Sequence, residues 1–133
     1  SLLGEVQVEV PDVLEPGETF DVLVHCVPKR ALKLNSLKLA LVGQEVVVRG
    51  SGTDRTTYRH KVHEEALELD PGRQLKAGEH EVFACSLTLP DDAGPSFAAS
   101  DNALRWEVAL QFDIPRWPDW IKSWQLAVRP RRS

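Results

Sequence analysis

This sequence predicts an all-β protein, an antiparallel sandwich of seven strands. Three observations carry the prediction. Apolar residues recur with a period of two almost everywhere, as in EVQVEV (5–10), where Val6, Val8 and Val10 share one face. Turn signals such as PGET (16–19) and DPG (70–72) separate the alternating runs. No stretch makes a convincing helix longer than one turn, and such spacing of short strands indicates a sandwich.

The elements follow in order. After EVQVEV, FDVLVHCV (20–27) alternates with Phe20, Val22, Val24 and Cys26 inward. PKRALKLN (28–35) is a connection rich in Lys and Arg. SLKLALVGQEVVV (36–48) is the third strand, with Leu37, Leu39 and Leu41 inward, and Gly43 marks a bulge or a change of sheet. RGSGTD (49–54) is a polar hairpin tip leading into TTYRHKVHEEALEL (56–69), a long polar strand expected at an edge. HEEALEL (63–69) has some helical propensity, but the alternation before it and the Asp-Pro-Gly after it favour strand. HEVFACSLTLP (80–90) turns Phe83, Cys85, Leu87 and Leu89 inward. ALRWEVALQFD (103–113) turns Leu104, Trp106, Val108, Leu110 and Phe112 inward, and SWQLAV (123–128) closes the set with Trp124 in phase with Leu126 and Val128.

A chain of 133 residues has length for one core, so residues 1–133 are read as a single domain. A net charge of −4 argues against nucleic acid as the partner, since a phosphate-binding surface shows as a basic excess. No apolar run approaches the ~18 residues of a membrane span, so direct membrane insertion is not expected. The sequence holds no methionine, and the expectation is a domain excised from a longer protein. Cys26 and Cys85 both fall on inward positions; a reduced, buried pair is favoured, with a disulfide as the alternative. A cytoplasmic setting is expected.

The stretch LPDDAGPSFAASDNALRWEV (89–108) carries a family resemblance: Leu89-Pro90, Pro95-Ser96-Phe97, a polar stretch, then Arg105-Trp106 on an alternating strand. With EPGETFDVLVHC (15–26) and LKLALVGQEVV (37–47), it resembles arrestin-type domains, in a prokaryotic or divergent form. The resemblance implies an immunoglobulin-like, arrestin-like β-sandwich and a non-enzymatic scaffold or adaptor. That family usually pairs two such sandwiches. Within this motif Pro95 is expected to stiffen the loop, Phe97 to plug one end of the sandwich, Ser96 to bond nearby backbone and Trp106 to fill the core.

Candidate chemistry is sparse. His60 and His63 are three apart, so on a regular strand they point to opposite faces and cannot chelate without a bulge; no metal or cofactor is expected. GPSF (94–97) is not a nucleophile elbow, and both cysteines face inward, so no catalytic residues are assigned.

What remains is surface. DIPRWPDWIKSW (113–124) concentrates Trp117, Trp120 and Trp124 between prolines; Trp124 is assigned to the core, while Trp117 and Trp120 either cap the sandwich or form an exposed anchor. Arg116 lies beside them, and Lys29, Arg30 and Lys33 form a basic loop. These six residues, Trp117, Trp120, Arg116, Lys29, Arg30 and Lys33, are the candidate partner-binding set. The expected function is a protein-interaction module for a protein or peptide partner, with self-association or partner-strand addition through edge strand 56–69 as a further route. A carbohydrate- or ligand-binding sandwich with a stacking platform on Trp117 and Trp120 is the alternative. So is a spacer domain of a larger, membrane-attached protein.

Overall fold

In the computed structural model, which describes residues 2–132, alternation builds two facing sheets. Strands β1 (Val6–Glu9), β2 (Thr19–Cys26) and β7 (Glu81–Thr88) form a three-stranded sheet in the order β1-β2-β7. Strands β4 (Ser36–Arg49), β5 (Thr56–Asp70), β9 (Asn102–Asp113) and β10 (Trp120–Leu126) form the larger sheet in the order β10-β9-β4-β5, with the short β8 (Phe97–Ala98) paired to the start of β9. Every pairing within the sheets is antiparallel. The seven expected strands are all present.

Three short strands join them. Beside β8, they are β3 (Leu32–Leu34) and β6 (Arg73–Leu75), which pair as a ribbon across one end of the sandwich. Leu32, Leu34 and Leu75 are buried there while Lys33 points out, so the ribbon closes that end with three leucines. The connection read as a plain basic loop therefore carries a strand whose apolar residues alternate over only three positions, too short to stand out in the sequence.

The core lies between the sheets. Phe20, Val22, Val24, Cys26, Phe83 and Leu87 from the small sheet meet Leu37, Leu39, Leu41, Trp106, Val108, Leu110 and Phe112 from the large one. Phe83 and Phe112 meet edge to face with centroids 6.4 Å apart, the arrangement ring quadrupoles favour. Trp106 is 2% exposed and donates its indole N–H to the Gly94 carbonyl at 2.9 Å, so the core's largest ring leaves no unpaired donor.

Gly43 explains itself in this packing. It pairs directly with Trp106 across β4 and β9. A Cβ there would lie 2.7 Å from the indole ring. The β4–β5 register also shifts beside it, between Gly43 and Gln44, because Val62 is an extra residue in β5.

That bulge corrects the expectation for the histidines. His63 pairs with Gly43 and His60 with Glu45, two positions apart on β4, so both point to the same side of the sheet. Even so, no three His, Cys, Asp or Glu side chains gather into a metal cage among the described residues.

Two further expectations are corrected. Phe97 does not plug the sandwich: it is 50% exposed on the two-residue β8, and Leu14, Leu89, Ala93 and Val128 supply the buried apolar groups from the segments around it. Ser96 ties this end together, donating its backbone N–H to the Val128 carbonyl at 2.8 Å and accepting the Val128 N–H on Oγ at 3.0 Å. Trp124 is half-buried rather than enclosed, because β10 is the last strand of its sheet.

Both thiols are free. Cys26 pairs with Glu81 and Cys85 with Val22, so the two cysteines are four positions out of step on adjacent strands. At ~3.3 Å per residue that offset is roughly 13 Å, far beyond disulfide reach. Cys26 is buried as expected, whereas Cys85 is only half-buried because β7 is an edge of the small sheet.

Candidate functional site

The topology collects the candidate surface residues at one end. The end of β2, the β3–β6 ribbon, the start of β4 and the turn from β9 to β10 all lie there. Asn35 ties them by donating its backbone N–H to the Asp113 carbonyl at 2.8 Å. Lys29 and Arg30 sit on the loop leaving β2, and Lys33 on β3; Arg116 and Trp117 occupy the turn after β9.

The β9–β10 turn is built tightly. Trp117 donates its N–H to the Ile114 carbonyl at 3.2 Å. That closure sets Arg116 at φ 70°, the only non-glycine residue with positive φ among those described. A side chain in this left-handed region costs about 1–2 kcal/mol. Ile114 is buried beneath the turn, which anchors it to the core.

The two corner tryptophans part company. Trp120 begins β10 opposite Phe112 and meets its ring edge to face with centroids 5.3 Å apart. Trp124 tilts against Trp120 at 6.3 Å, and the Lys122 ammonium lies 5.4 Å from its ring centre. Trp117, in contrast, is 54% exposed, and Ile121 four residues on is 66% exposed. Sequence parity could not resolve Trp117 and Trp120, because the prolines break the strand period. For the carbohydrate reading, which calls on both rings, Trp117 is exposed while Trp120 is half-buried against Phe112.

Ile121 was missed as a surface residue. Its signal was available: it alternates against Trp120 and faces the Gln111 side of the large sheet. A lone apolar residue next to three tryptophans simply draws no notice.

Acidic and basic residues share this end, with Asp113 beside the start of β4 and Asp119 in the β9–β10 turn. Lys29, Arg30, Lys33 and Arg116 are all exposed, and none forms an ion pair among the described residues. The tail behaves differently: Arg129 and Arg132 reach Glu15 at 3.1 and 3.5 Å, and Arg131 reaches Asp91 at 3.5 Å. The C-terminal arginines are thus paired with carboxylates, whereas Lys29, Arg30, Lys33 and Arg116 are not.

β5 is the other accessible feature. Its outer edge pairs with no strand among the described residues, and most of its residues are exposed. Arg59, Lys61, Glu64, Glu65 and Glu68 line it, and the bulge at Val62 interrupts it, both devices that blunt an open edge against indiscriminate pairing.

The thiols are poor nucleophiles. Burial, with help from the negative charge of Glu81 and against the pull of Arg73, pushes the Cys26 thiol up to about 11. Burial, then Asp21 and Glu65, also raises Cys85. Both remain protonated at neutral pH, the opposite of what a reactive cysteine needs.

No protein-family model matches this chain, and no curated protein matches it. The fold is similar to the crystal structure of Spo0M, a sporulation control protein from Bacillus subtilis, with a TM-score of 0.71 at 20% sequence identity. The match covers 93% of this chain and 48% of that one, so the chain spans about half the length of that structure. The likeness is one of fold: an all-β, arrestin-like sandwich. No helix among the described residues is long and apolar enough to cross a membrane.

Proposed function

We propose that this chain is a non-enzymatic protein-interaction module that docks a protein or peptide partner on the end of its sandwich. One observation carries the reading: Trp117 stands more than half exposed on the same end as four unpaired basic side chains. Interface hot spots are enriched in Trp and Arg, and a ring beside free charge offers both affinity and orientation. The partner segment that fits is an apolar anchor flanked by acidic residues. The strained Arg116 supports the same reading, since backbone strain gathers at functional turns. The raised thiols support a scaffold over a thiol enzyme.

The test is comparative capture. Immobilised wild-type protein, Trp117→Ala and Lys29→Glu/Arg30→Glu are exposed to a lysate of the producing organism, at low salt and at several-fold higher salt. The expected partner is retained by the wild type, lost from both variants, and weakened as salt rises, because exposed charge contacts are screened. A partner held equally by all three proteins would move the docking surface elsewhere. No partner at all would leave the domain a structural spacer.

A further inference from the structure

The outer face of the small sheet carries a histidine pair that the docking end does not use. His25 lies on β2 opposite Gln7 of β1 and Val82 of β7. His80 is two residues before Val82, on the exposed approach to β7, so the two imidazoles meet diagonally across the strands. His25 Nδ1 and His80 Nε2 are 2.9 Å apart, with ring planes 17° apart and centroids at 5.1 Å. The other nitrogen of His25, Nε2, is buried without a hydrogen-bond partner, and the Glu9 carboxylate lies 3.7 Å from it.

We propose that His25 and His80 form a chelating site for a late divalent transition metal of the nickel or copper class. Metal–imidazole bonds are about 2.0–2.1 Å long. The 2.9 Å separation is the hydrogen bond of the metal-free pair, and the metal class follows from the ligands instead: imidazole nitrogens suit nickel and copper, which stand high in the divalent affinity order. Glu9 stands on the Nε2 side of His25, 3.7 Å away and beyond hydrogen-bond distance, where a small shift would let it support the ring. Its negative charge favours the proton on His25 Nε2, which leaves the Nδ1 lone pair free to bind metal. His80 is exposed, so its ring can swing until both lone pairs converge on one point. A groove of about 260 Å³, lined by Glu5, Gln7, His25, Cys26, Val27 and His80, gives the ion and its waters room. Because no third protein ligand converges there, solvent completes the shell.

The test uses tag-free protein and Ni²⁺ alone, followed by calorimetry and by paramagnetic broadening of the imidazole resonances. The expected result is one ion per chain, with His25 and His80 broadened first. His80→Gln changes an exposed side chain and keeps the fold; it should weaken binding at least tenfold. Glu9→Gln should weaken it by about tenfold, the low end for a lost supporting partner. His60→Gln/His63→Gln should leave it unchanged. Absence of Ni²⁺ binding would reduce the pair to a proton-sharing hydrogen bond and overturn the proposal. So would binding that survives His80→Gln, or that is lost with His60 and His63.

Discussion

The indole of Trp106 covers Gly43 so closely that a single methyl group on Gly43 would lie 2.7 Å from the ring. The two residues pair directly across β4 and β9, and the Val62 bulge on β5 sits at the same level. Gly43→Ala must therefore push the indole away, and the indole is held on its far side by the bond to Gly94. Overpacking of this kind costs roughly 1–3 kcal/mol. A urea melt should show that loss as a lower midpoint with an unchanged slope; an unchanged midpoint would mean that the ring is free to shift.

Trp120 and Trp117 should separate cleanly in the same assay. Trp120→Ala removes a half-buried ring packed on Phe112 and should cost about 2–3 kcal/mol, below the range for a fully enclosed aromatic. Trp117→Ala removes a mostly exposed ring and should stay within about 0.5 kcal/mol of the wild type. Equal losses would show that both rings are architectural.

Arg116 offers a test of backbone strain. Arg116→Gly relieves the left-handed penalty of ~1–2 kcal/mol and adds glycine's unfolded-state entropy of roughly 0.5–1 kcal/mol. The net expectation is a protein as stable as the wild type or up to about 1.5 kcal/mol more stable. Arg116→Val, branched at Cβ, should be less stable than either. A glycine variant clearly weaker than the wild type would contradict the turn geometry.

The thiols set an alkaline limit. With the Cys26 thiol raised to about 11, the folded state keeps a proton that the unfolded chain releases at about 8.5, the ordinary thiol value. The stabilisation is fully present below that unfolded value and is lost as pH rises through about 11. Melting temperature should decline across that window, and Cys26→Ala should flatten the decline. At pH 7 both thiols should react with a disulfide reagent far more slowly than free cysteine, since reaction needs the thiolate.

How much of this was legible in the sequence follows from which interactions are local. Alternation exposed the seven long strands, because each buries one face and the period survives over six or more residues. The ribbon of Leu32, Leu34 and Leu75 was not legible: three-residue strands joined across some forty positions leave no periodic trace. The bulge at Val62 was half visible, through Gly43, but its placement on the partner strand depends on Trp106 and on the register of β4 with β9. The end proposed for docking was legible as residues and not as a site. Lys33 and Arg116 fall on the same end only because β3 and the β9–β10 turn lie there. The His25–His80 pair is hidden in the same way, since it depends on β2 lying beside β7.

The most direct test of the account is a hydrogen-exchange footprint. Backbone exchange would be measured for the free chain and for the chain bound to its captured partner. The prediction is new protection confined to residues 114–121 and 28–34, with β5 unchanged. Protection along β5, or at the 50–55 hairpin tip, with the docking end unaffected, would contradict it.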